Sequence, residues 1–152
     1  MALAAVAAVP LTGCDLFDDE PAPEPSPDPL APLVSGALEL AGRYEAAIAA
    51  FPELAEQLNP VAQAHQAHAT ELAQAIGAAL PSDAAGSASP ANTSAGSATT
   101  EGGVKAALTA LRAAEKQGHE AAVQACLSAP AKHAALVGSI AAARATHLEV
   151  LR

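Results

Sequence analysis

Aromatic residues are nearly missing from this chain, which has no Trp, one Tyr and two Phe among 152 residues. Strands draw on aromatic and β-branched side chains, so this shortage argues against a β-sandwich or barrel and for an all-α domain. Basic residues are also scarce, with seven Lys and Arg against sixteen Asp and Glu and a formal net charge of −9. That leaves neither a basic stripe with stacking aromatics for nucleic acid nor a polybasic patch for a membrane surface. Two cysteines are too few for a disulfide framework. No Gly-rich phosphate loop follows a strand, and neither Cys-x-x-Cys nor His-Glu-x-x-His occurs. Ser139 sits one residue before Ile140, off the stripe that carries the histidines, so a Ser–His–acid triad has no ready geometry. Glu45 and Glu115 could serve as a glycosidase pair only if they approached each other, and the lack of cleft-forming aromatics argues against sugar binding. No catalytic residue is assigned.

What the chain has in excess is alanine, 44 of the 152 residues. Alanine has no rotamer freedom to lose in a helix, but each one buries little area. A length near 150 fits one domain. The acidity is concentrated. Of the sixteen acids, six (Asp15, Asp18, Asp19, Glu20, Glu24 and Asp28) lie in the stretch 15–29 with no base among them, leaving ten against seven elsewhere. The negative charge therefore belongs mostly to a tether.

Residues 1–11 are small and apolar, with Leu3, Val6, Val9 and Leu11, and run directly into Leu11-Thr12-Gly13-Cys14. The run is too short to span a bilayer and suits the hydrophobic region of a signal peptide. Leu11-Thr12-Gly13-Cys14 resembles a bacterial lipobox, with small residues before a cysteine that becomes N-terminal and lipidated. The resemblance covers the first 14 residues. It implies a signal peptide over 1–13 and an extracytoplasmic protein anchored to the cell membrane through Cys14. No Lys or Arg precedes the apolar run, from which a translation start upstream of Met1 is expected. Cys126 would then lack a partner within the chain, and it reads as a small core hydrophobe.

Residues 14–32 read as the lipidated cysteine and an acidic, Pro-rich linker. From Glu20 to Pro32, at about 3.1 Å per residue, this linker can hold the domain about 40 Å from its anchor. A second irregular stretch, about 81–103, is rich in Ser, Ala, Gly, Thr and Asn and reads as a disordered crossover. Residues 33–152 otherwise carry four helical stripes. The first, over about 33–50, has Val34, Leu38, Ala41, Ile48 and Phe51 on one side. Pro52 suits the first turn of the second. The second reads Leu54, Leu58, Val61, His65, His68, Leu72, Ile76 and Ala79, with Pro60 predicting a kink. The third has Val104, Leu108, Leu111, Glu115, Gly118, Ala122 and Cys126. The fourth, after Pro130, has His133, Val137, Ile140, Arg144, His147 and Leu151.

Each stripe carries an ionisable residue near its middle: Glu45, then His65 with His68, then Glu115, then Arg144 with His147. A buried unpaired charge costs several kcal/mol, so these groups should meet in one polar layer of a four-helix bundle. A lone glutamate, a residue-x-x-His pair, a lone glutamate and another residue-x-x-His pair, in that order, resembles the ferritin-like carboxylate bundle. Its long connection between the second and third helices matches the stretch 81–103. The similarity covers Leu33 to Arg152, and the whole also resembles Ala-rich ferritin-like lipoproteins and secreted proteins of high-GC Gram-positive bacteria. That family builds a di-metal site from two lone glutamates and two Glu-x-x-His pairs. Glu45, His68, Glu115 and His147 match the pattern, while His65 and Arg144 stand where it has glutamates. Arg144 would repel two adjacent dications, offering donors but no acceptor, and becomes instead a charge partner for Glu45 and Glu115.

Two readings stay open. The first is a non-enzymatic, lipid-anchored cell-envelope protein with no cofactor, a monomer or weak dimer that binds an unidentified protein partner. Here neutral histidines hydrogen-bond to the carboxylates. The alternative is a protein that stores, transports or oxidises a single transition metal such as zinc, copper or iron, held by Glu45, His65, His68, Glu115 and His147. His119 and His133 read as partly exposed. Tyr44 borders the first stripe, where it packs or lends its hydroxyl to the layer.

Overall fold

A computed structural model describes residues 28–80 and 100–152, and within them the chain is all-helical. The expected signal peptide and lipobox, residues 14–27 of the expected linker and residues 81–99 of the expected crossover lie outside this range. Helix α1 spans Ala31–Ala50, α2 Ala55–Ile76, α3 Thr100–Ser128 and α4 Ala131–Val150, with a short 3₁₀ turn at Pro52–Leu54. Among the described residues no helix is long and apolar enough to cross a membrane.

The ends of the helices follow from local chemistry. The Asp28 carboxylate accepts from the Leu30 N–H at 2.8 Å, and Pro32 occupies the first turn of α1, where its missing N–H costs nothing. Helix α1 thus begins two residues before the expected Leu33. At the other end, Phe51 breaks the helix and Pro52 opens the 3₁₀ turn rather than α2 itself. Pro60 lies inside α2, which is assigned continuously through it. Helix α2 stops at Gly77, whose φ of 68° lies in the left-handed region open to glycine, and Ala78 closes the turn by donating to the Ala73 carbonyl at 2.9 Å. The expected stripe ran on to Ala79, which is exposed beyond this cap. Helix α3 starts at Thr100, so residues 100–103, expected in the crossover, are helical.

Helix α1 packs on α2 and α3 on α4, and the two hairpins meet through α1 with α3 and α2 with α4. Gly118 faces Leu40 and Gly103 faces Phe51, so α1 and α3 are antiparallel. Gln57 donates to the Val150 carbonyl and Leu72 shares a cluster with Ile140, so α2 and α4 are antiparallel too. It follows that α2 and α3 run in the same direction.

Two apolar clusters fill the interior. One gathers Leu33, Val34, Leu72, Val137 and Ile140 with the fully buried Ala37, Ala69 and Ala122. The other gathers Leu40, Leu54, Leu58, Val61, Leu111 and Leu151 around Tyr44. Alanine at the contacts lets the backbones approach closely, which offsets its small buried area. The polar residues lie where the two clusters meet.

Candidate functional site

Glu115 is fully buried in the middle of α3 and is the centre of the site. Its Oε2 accepts from the Tyr44 hydroxyl at 3.1 Å and from His65 Nε2 at 2.8 Å. Its Oε1 accepts from His147 Nδ1 at 3.3 Å. All four helices therefore contribute to the layer, with Arg144 adding a second residue from α4. An ionised carboxylate can only accept, so both imidazoles present an N–H to it.

The protonation states follow from burial and these bonds. Burial alone would raise the Glu115 carboxyl, but hydrogen bonds from His147 and His65 outweigh it and hold the group down to about 2. Burial lowers His65 against the opposing pull of Glu115. Burial, with His65 and His147 nearby, lowers His68 to about 4. Burial, then Glu115, pushes the Tyr44 hydroxyl up, so it stays a donor. At neutral pH the layer holds a carboxylate, a neutral phenol and neutral imidazoles at His65 and His68.

His68 is half-buried and stacks on His147 with ring centroids 6.0 Å apart, and it lies edge-on to His65 at 5.8 Å. Its Nδ1 and that of His65 are buried without a hydrogen-bond partner. Such orphans are rare in native interiors and call for an explanation. His65, Glu115 and His147 each offer a ligand atom, and these atoms lie within 4.8 Å of one another. Two imidazole nitrogens and a carboxylate oxygen suit a single zinc or copper ion. Among the described residues one carboxylate reaches the layer, which is too little charge to hold two adjacent dications.

Glu45 does not join the site. It is exposed and accepts from the Gln66 amide at 2.6 Å on the outside of the α1–α2 pair. Its neighbour Tyr44 takes the inward position, because adjacent helical residues point about 100° apart. The α1 face that packs inward runs Leu33, Ala37, Leu40, Tyr44 and Ala47, rotated from the expected stripe of Val34, Leu38, Ala41, Ile48 and Phe51. Val34 and Ala41 remain buried at its margin. The legible signal for Tyr44 is its spacing of four after Leu40 and three before Ala47.

Arg144 is 1% exposed and lies within electrostatic reach of Glu115, but it forms no ion pair with either Glu45 or Glu115. Burial pulls its pKa down and Glu115 pulls it back up. Its guanidinium reaches α3, where a Cβ on Gly118 would overlap Nη1 and lie 3.4 Å from Cζ. Glycine at 118 is what makes room for it.

His133, expected to be partly exposed, is buried in the first turn of α4, on the same face as Val137, Ile140, Arg144 and His147. His119 is half-buried and donates from Nδ1 to the Ala141 carbonyl at 2.9 Å. Cys126 is half-buried, and its thiol donates to the Ala134 carbonyl at 3.6 Å. No family model matches the chain, and neither the curated proteins nor the solved structures compared with it yield a match.

Proposed function

We propose that this protein is a ferritin-like bundle of the cell envelope, tethered to the membrane through lipidated Cys14, that binds one transition-metal ion without catalysing a reaction. The observation that carries the metal reading is the convergence of His65, Glu115 and His147 on one buried point. The order of the helices, with α2 and α3 parallel, and the long connection between them support the ferritin-like assignment. The lipobox sequence supports the anchor.

Two of the protein's own groups already carry the charge that ligation needs. Glu115 is ionised, and burial keeps His65 neutral. To present a lone pair, His65 Nε2 gives up its N–H, and the orphaned Nδ1 is free to carry that proton. The bound ion would supply positive charge that crosslinks α2, α3 and α4. Arg144 opposes a second ion and any large excess of positive charge, which fits a single site that stores or carries metal.

The test is elemental analysis of the chain purified without chelators. About one zinc or copper per chain is expected, lost in Glu115→Gln and His147→Ala and retained in Glu45→Gln. A chain that copurifies with no metal and takes up none on dialysis against zinc or copper overturns the metal reading.

The burial of Arg144 near Glu115 favours a second reading, a metal-free layer in which Arg144 balances Glu115 at a distance. The same experiment decides between them. For the anchor, Cys14→Ser should move the protein from the membrane to the soluble fraction.

A further inference from the structure

Arg144 is more than nine-tenths buried, yet its Nε and Nη2 have no acceptor, and Glu115 is already engaged by Tyr44, His65 and His147. The same side chain lines a groove of about 340 Å³ between α1 and α3. Gly118, with no side chain, lets the Arg144 guanidinium reach this groove, and Gly36 on the facing helix has open space around it. Leu33, Leu40, Ala114 and Ala121 give the groove apolar walls. At its rim Arg43 is bound to Glu39 at 2.6 Å, so that cation is already balanced. The groove therefore has at its base a guanidinium that no carboxylate directly contacts, with apolar walls and with Glu39, Arg43 and Gln117 also lining it.

We infer that this groove binds a small aliphatic monocarboxylate, with its head on the Arg144 guanidinium and its tail along Leu33 and Leu40. A guanidinium presents a planar fork of donors that matches a carboxylate, and a charge-assisted pair in a low-dielectric site is the strong kind of hydrogen bond. A single negative charge balances Arg144. A phosphate dianion would bring a second charge into apolar walls and towards Glu39. This inference goes beyond the metal reading and does not depend on it.

The experiment titrates butyrate into the unlipidated Cys14→Ser chain after removal of metal with EDTA, following the ¹⁵N resonance of the Arg144 Nε–H. A saturable shift is expected, with chloride and inorganic phosphate at equal ionic strength having at most a weak effect. Gly118→Ala, whose methyl displaces Nη1, should weaken butyrate binding by roughly tenfold or more while the helical circular dichroism is retained. Arg144→Lys keeps the charge but loses the fork, and should weaken it as well. A wild-type resonance that does not move, or that moves equally with chloride, overturns the inference whatever the variants do. Unchanged affinity in a folded Gly118→Ala chain overturns it too.

Discussion

A carboxylate with no exposed surface persists in an apolar core only when donors surround it, and Glu115 has three, from Tyr44, His65 and His147. Changing it to glutamine removes the one carboxylate that the described residues place in the layer and turns an amide towards donors that need an acceptor. Leaving buried donors without their acceptor costs about 1–3 kcal/mol. Urea unfolding of Glu115→Gln is expected to show a loss of that order. Glu45→Gln, on an exposed side chain, should stay within about 0.5 kcal/mol of the parent. The histidines set the pH response. His68 titrates near 4 in the fold against an ordinary value of 6.5, so the unfolded chain takes up its proton first as pH falls. Its contribution to stability is therefore complete above 6.5 and is lost as pH falls towards 4. His65, lowered by burial, acts in the same direction. Glu115, held near 2 against 4.5, adds a further loss between those values. The melting temperature of metal-free protein should fall as pH drops below about 6.5. A flat profile from pH 7 to 4 would contradict the protonation states described above.

At the scale of the helices, two residues oppose or permit the geometry that surrounds them. Pro60 lies in the second turn of α2, where it cannot donate to the Glu56 carbonyl and its ring crowds that turn. It is exposed, so Pro60→Ala should stabilise the protein, by about 1–3 kcal/mol in chemical denaturation. Gly77 holds the left-handed cap with open space around it, so Gly77→Ala meets no clash but should cost about 1 kcal/mol for its backbone conformation alone. The inward face of α1 is harder to centre from sequence than that of α4, although Val34 and Ala41 of its expected stripe are buried and Leu38, Ile48 and Phe51 pack on the core. In α4, His133, Val137, Ile140, Arg144 and His147 stand apart from a background of alanine, and all are buried. In α1, Leu33, Val34, Leu38, Leu40, Tyr44 and Ile48 spread over an arc of about 160°, so a rotation towards either edge of that arc still buries most of them.

At the scale of the molecule, the four helices close on one interior, and the large apolar side chains left exposed among the described residues are Leu127 and Val150. Scattered single residues of this kind are ordinary on a monomer and do not form a docking patch. Light scattering of the unlipidated chain is expected to give a mass near the 14.9 kDa of a single copy. Because the layer draws on all four helices, its loss should be felt by the whole fold. Thermal unfolding followed by circular dichroism and by Tyr44 fluorescence should therefore coincide in one transition. A dimer mass, or two separated transitions, would contradict a single closed bundle.

The all-helical class, the approximate spans of the helices and the inward facing of His65, Glu115, Arg144 and His147 follow from the order of residues alone. Each of these four interrupts a run of larger apolar residues at helical spacing, and burial of that run carries the polar group inside with it. Which side of α1 faces inward was decided only in three dimensions, and with it the placing of Tyr44 rather than Glu45 against Glu115. So was the reach of Arg144 to Gly118. The physical reason is the wide apolar arc of α1: with large side chains spread across it, its sequence leaves the rotation open and the packing of neighbouring helices selects it.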